Sequence, residues 1–194
     1  MQSVVNKHGR VEPFKIERVL HIAHHACRGV PGTEPLKIVS RFLSTVEGSV
    51  SSNVIVENMT AAARELSNAT PEYATVASRL LSDVIGDEVG QSKCFGDVLQ
   101  WMQKNREPQP YFALALENLS AIDWTIDHER DGWVPYERLL HWRERCLLRD
   151  TNGRIIERPQ WMLMRWALAR ATDWPQAASL YDTFSRQSDS ALNL

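Results

Sequence analysis

The sequence predicts a mainly α protein built as two small lobes, and three observations carry that prediction. Apolar residues recur at helical spacing in one segment after another; the pattern lapses once, around Gly86 to Gly90; and paired extended stretches occur at only two polar, glycine-containing turns. At 194 residues the chain is long enough for one ordinary domain or two small ones, each with a core.

The elements follow in order. Val4 to Phe14 places a polar turn around Gly9 between two short extended stretches, which predicts a small hairpin, and Pro13 confines its second strand to an edge or a strand end. Ile16, Val19, Leu20, Ala23 and Cys27 then fall on one face of a helix that Gly29 and Pro31 stop. Leu36, Val39, Leu43 and Val46 mark a second helix. A third begins after Ser51-Ser52-Asn53, whose side chains suit its free N–H groups, and carries Ile55, Met59, Ala62 and Leu66. Thr70-Pro71-Glu72 reads as an N-cap, a proline at the first helical position and an acid at the positive end of the dipole, opening a fourth helix through Val84. A hairpin and four modest helices up to about Asp87 present enough apolar faces to close on one another as a first lobe.

In the second lobe, Phe95, Val98, Leu99 and Met102 predict a helix ended by Pro108 and Pro110. Further helices are expected over 111–119, 136–149, 160–171 and 175–184. Asp150-Thr151-Asn152-Gly153 separates Leu147-Leu148 from Ile155-Ile156 and has hairpin chemistry, because Asn-Gly readily takes positive φ. Alone such a hairpin is marginal, so it is expected to pair or pack elsewhere.

Bulk properties exclude several functions. Twenty-two Lys and Arg against 24 Asp and Glu give a net charge of -2, without the broad positive field that polynucleotides or anionic membranes attract. Cys27, Cys94 and Cys146 fit no CxxC, disulfide-framework or zinc spacing and read as intracellular thiols. The amino terminus lacks a signal-peptide core and charges interrupt every apolar run, so a soluble, cytoplasmic protein is expected.

Three local patterns then converge. Val-Val-Asn-Lys-His-Gly-Arg-Val-Glu-Pro-Phe at 4–14 resembles the opening of an ATP-cone, and Pro-Glu-Tyr-Ala-Thr-Val-Ala-Ser-Arg-Leu-Leu at 71–81 resembles its last helix. Ile126 to Asp131, Asn152-Gly153, and the run Glu157-Arg158-Pro159-Gln160-Trp161-Met162-Leu163-Met164-Arg165 are similar to the start of the catalytic region in class I ribonucleoside-diphosphate reductase large (alpha) subunits. The resemblance implies a four-helix ATP-cone with a small β cap at 1–88, followed at 89–194 by the reductase's helical amino-terminal domain with one β-hairpin. It implies ATP or dATP as allosteric effector, with or without Mg2+, in deoxyribonucleotide synthesis. Carried over by position, the nucleotide contacts are Asn6, Lys7, Glu12, Phe14, Arg18 and Ser52. Two positions depart from the pattern: Asn6 replaces the first Lys of a Lys-Arg pair, and Asp87 stands where a phosphate-binding Lys is usual, a carboxylate that repels phosphate unless a metal intervenes. A cone that keeps its fold and binds nucleotide weakly or not at all stands beside the binding reading.

The resemblance also implies that the family's catalytic cysteines lie outside these residues, since Cys27, Cys94 and Cys146 match none of them. No catalytic residue is therefore assigned. The expected partners are the remaining part of a reductase large subunit or an intact reductase, and through it the small subunit; the alternative is a non-catalytic interaction module that docks on a complete reductase and modulates its assembly. His21, His24 and His25, at helical spacing, could place two imidazoles on a metal, but with no Cys or acidic partner nearby a structural use is expected and no metal ligand is assigned. Trp133, Trp142, Trp161, Trp166 and Trp174, interleaved with arginines, read as core or docking surface rather than base-stacking platforms. Arg130-Asp131 reads as a structural ion pair.

Overall fold

The computed structural model describes residues 3–5, 11–46, 50–90 and 93–186 and is mainly helical, as expected. The chain divides into two compact units, Met1–Val84 and Ile85–Leu194.

In the first unit, β1 (Ser3–Val5) and β2 (Val11–Pro13) form the expected antiparallel hairpin, with Ser3 opposite Pro13 and Val5 opposite Val11; its turn, 6–10, lies outside the described residues. Pro13 sits at the strand end, where its missing N–H breaks no ladder. A third strand, β3 (Val50–Ser51), pairs parallel with β1, giving the order β2-β1-β3. The sequence reading missed it: two residues carry no periodicity.

Four helices follow the expected register: α1 (Ile16–Cys27), α2 (Pro35–Thr45), α3 (Ser52–Leu66) and α4 (Tyr73–Val89). Their buried faces, among them Val19 and Ala23, Ile38 and Phe42, Ile55 and Met59, and Val76 and Leu80, form the core. Each such large apolar side chain contributes roughly 1.5–3 kcal/mol. Gly29 ends α1 with φ near 71°, a left-handed conformation that glycine takes without strain. Arg79 of α4 reaches back to the freed carbonyls, donating to those of Ala26 at 3.0 Å and Arg28 at 2.6 Å. The buried Tyr73 hydroxyl accepts from the Glu34 N–H at 2.8 Å and donates to the Glu34 carbonyl at 3.2 Å, joining the start of α4 to the start of α2.

Two details correct the expectation. Ser51 occupies the α3 N-cap without a side-chain cap bond. Pro71 and Glu72 form a tight lead-in turn, in which the N–H groups of Tyr73, Ala74 and Thr75 each bond three residues back, so α4 proper starts at Tyr73. The helix also runs past the apparent lapse to Val89, because Ile85 and Val89 continue its buried face, and Gly90 at φ 97° stops it.

The second unit holds α5 (Phe95–Asn105), α6 (Phe112–Glu117), α7 (Leu119–Thr125), a 3-10 turn (His128–Trp133), α8 (Tyr136–His141), a π turn (Trp142–Cys146), α9 (Pro159–Leu168) and α10 (Trp174–Arg186). Helix α9 is buried on nearly every side, the mark of a central helix, and α10 packs along it. The helix expected over 136–149 is shorter: the Leu147 N–H bonds to the Trp142 carbonyl five residues back at 2.9 Å, and the chain leaves the helix there. The expected hairpin forms as a single bridge, Arg149 with Ile155. Only Gly153 adopts positive φ; Asp150 Oδ1 accepts the N–H groups of Asn152 and Arg154, so the turn is held by a carboxylate rather than by a left-handed Asn152. As expected, the hairpin is tied elsewhere, through Arg154 to the Glu88 carbonyl and Arg149 to the Arg143 carbonyl. Among the described residues no helix is long and apolar enough to cross a membrane.

Candidate functional site

The expected nucleotide positions that can be placed cluster where β2 runs into α1. Glu12 lies on the strand, Phe14 in the two-residue link, and Arg18 in the first turn of the helix. Arg18 pairs with Glu12 at 3.6 Å, and the side chains are 70% and 42% exposed. So open a pair contributes little to stability, and its guanidinium stays accessible to another anion. Phe14 is half-buried beside it in sequence, and the α1 amino terminus adds free N–H groups at the positive end of a helix. Asn6 and Lys7 lie outside the described residues, and Ser52 is placed only by its backbone, as the first residue of α3. Asp87 is exposed on the carboxy-terminal part of α4, in the second unit. Of these residues the structure brings Glu12 and Arg18 into contact.

The second unit contains a centre that sequence reasoning did not anticipate. Glu157 and Gln160 are each 0% exposed, polar side chains that stay buried only if fully partnered. Glu157 accepts from Arg165 at 2.8 and 3.0 Å, a two-point contact, and from the Leu148 N–H at 3.1 Å. Gln160 donates to Asp131 at 2.8 Å and accepts from the Tyr181 hydroxyl at 2.8 Å; that hydroxyl accepts the Asp127 N–H at 3.0 Å. The 3-10 turn, α9 and α10 are thereby joined by one chain of hydrogen bonds. Burial pushes the Tyr181 phenol above its ordinary pKa, so it remains a donor.

This geometry corrects the Arg130-Asp131 pairing. Arg130 instead contacts Asp127 at 3.3 Å and Asp182 at 3.0 Å, while Asp131 turns inward to Gln160. Neighbours in a 3-10 turn point in different directions, so adjacency in sequence misled. His128, in the same turn, stacks edge-on against Trp161 at 5.6 Å, and its Nδ1 is buried without a hydrogen-bond partner. Desolvation and the Arg158 charge lower its pKa to about 4, so it is neutral at pH 7.

The tryptophans divide between core and surface. Trp142 and Trp161 are buried, whereas Trp124 is 91% and Trp133 54% exposed. His21, His24 and His25 are exposed on α1.

No family model matches the sequence. Curated proteins do. The chain is 24% identical over 180 residues to the ribonucleoside-diphosphate reductase subunit alpha of Enterobacteria phage T4, covering 89% of this chain and 24% of that protein. It is 26% identical over 176 residues to ribonucleoside-diphosphate reductase large chain 2 of Saccharomyces cerevisiae, covering 85% and 20%, and 23% identical over 201 residues to the large chain of Schizosaccharomyces pombe, covering 95% and 24%. The chain therefore spans about a fifth to a quarter of the length of these relatives, and the similarity supports kinship with the large subunits of ribonucleoside-diphosphate reductases.

Proposed function

We propose that the chain supplies the amino-terminal allosteric and structural portion of a class I ribonucleoside-diphosphate reductase large subunit, and that it serves deoxyribonucleotide synthesis only together with polypeptide carrying the catalytic barrel. The observation that carries this reading is similarity to reductase large subunits along 85–95% of the chain. Residues 1–88 act as an ATP-cone, with ATP or dATP held at Asn6, Lys7, Glu12, Phe14, Arg18 and Ser52. In this role Arg18 leaves Glu12 for the triphosphate, a charge-assisted exchange that costs little because the existing pair is solvated. Residues 89–194 form the start of the catalytic region, and the buried Glu157 and Gln160 explain why its Glu-Arg-Pro-Gln run has the residues it has: they hold α9 in place.

Titration calorimetry of the folded chain with ATP and dATP tests the nucleotide part. Binding that Arg18→Ala weakens by about tenfold, the loss of one charged contact, is the expected result; no heat at millimolar nucleotide refutes it. A second reading, an interaction module docking on a complete reductase, is favoured by the exposed Trp124. Capture of partners from the native cell separates the two. A carboxy-terminal large-subunit fragment supports the first reading and an intact reductase the second.

A further inference from the structure

Helix α1 carries a histidine face that the proposed function leaves unused. His21, His24 and His25 are exposed, opposite the buried Val19, Ala23 and Ala26. All three border one groove of about 430 Å³, which Thr33 and Pro35 also line. Cys27 reaches the same groove but is itself buried, 8% exposed, on the inner face of the helix. Among the described residues no group of three or more His, Cys, Asp or Glu side chains is arranged to hold a metal ion, so a closed cage is absent there. A two-point site completed by water needs no third side chain.

We propose that His21 and His25 form a two-point site for a borderline divalent transition ion such as Zn2+, Ni2+ or Cu2+, on the solvent face of α1, with water filling the remaining coordination positions. Both residues lie inside the helix and four apart, which stacks their side chains on one face with Cβ atoms roughly 5–6 Å apart. Nitrogen donors select Zn2+, Ni2+ and Cu2+ over Mg2+ and Ca2+, which take oxygen. His24, three residues from His21, is turned further round the helix than His25, four residues away, so His21 and His25 are the better-aligned pair.

The surrounding charges permit a cation. Glu17, one turn before His21, faces the same side, and the carboxy-terminal end of α1 is the negative end of its dipole. Arg28 opposes, but it is exposed and solvent-screened. Arg79 is engaged with backbone carbonyls and Glu34 with Lys37.

The test is calorimetric titration of the full chain with ZnCl2, NiCl2 and CuCl2 in turn at about pH 7.5, above the ordinary imidazole range, with circular dichroism to verify folding. One ion is expected per chain. His21→Gln and His25→Gln each weaken it by about tenfold or more, as loss of one of two ligands requires, while His24→Gln changes it less than about twofold. Absence of binding for all three ions overturns the proposal. So does binding that survives the double variant His21→Gln, His25→Gln, or a His24→Gln effect equal to that of His25→Gln.

Discussion

Acidification should weaken the second unit through His128. In the folded chain desolvation against Trp161 and the Arg158 guanidinium hold this imidazole neutral down to about pH 4, with Asp127 only partly opposing them. Unfolded, it protonates near 6.5. A base whose folded pKa is depressed gives full stability above the unfolded pKa, and loses it as pH falls toward the folded one. The window is therefore pH 6.5 down to about 4. Each pH unit between the two values corresponds to about 1.4 kcal/mol, so the full loss approaches ~3 kcal/mol and is about 2 kcal/mol at pH 5. Solvent reaches the ring's exposed part and trims the effect at pH 5 to roughly 1–2 kcal/mol. All seven tryptophans lie at position 101 or beyond, so urea unfolding followed by indole fluorescence reports on this unit alone. Between pH 7 and 5 the wild type should lose about 1–2 kcal/mol more than His128→Gln, which cannot titrate; the exposed histidines contribute equally to both and cancel. Parallel losses in the two proteins, or an NMR titration placing His128 near 6.5, would refute the reasoning.

Three further outcomes follow from the same unit and the same urea assay. Glu157→Ala leaves Arg165 without its carboxylate and should cost about 3–5 kcal/mol, whereas a cost under about 1 kcal/mol would mean that Arg165 finds water. Tyr181→Phe removes the hydroxyl bonded to both Gln160 and the Asp127 N–H, and should cost about 1–3 kcal/mol with little change in the slope against urea. Gly153→Ala forces a left-handed backbone on a residue with a Cβ; open space surrounds the position, so the cost should be conformational alone, about 1–2 kcal/mol.

The sequence disclosed most where periodicity is long and uninterrupted. Ile16 to Cys27 and Phe95 to Met102 gave their helices directly, because an apolar stripe must be buried and only one helical phase buries it. Legibility failed where the period breaks within one turn. The 3-10 turn at His128–Trp133 and the π turn at Trp142–Cys146 are too short to imprint a pattern, and α7 (Leu119–Thr125) extends beyond the helix expected over 111–119 because the chain breaks phase at Asn118. Polar burial was not legible: nothing in the spacing of Asp131, Gln160 and Tyr181 indicates that they meet, since they come from three separated segments. At the β2–α1 corner Glu12 and Arg18 were named through the family pattern, and local chain geometry brings these two together.

The order β2-β1-β3 makes the three residues Ser3–Val5 the axle of the sheet. One neighbour arrives by a short local turn; the other, Val50 opposite Val4, arrives only after α1 and α2 have been laid down. The sheet's closure thus rests on a long-range pairing, whereas its hairpin is local. A chain shortened by as few as its first five residues, or one whose start is drawn away by an appended tag, loses both ladders at once, since β2 and β3 are not neighbours in the sheet and have no strand left to lean on.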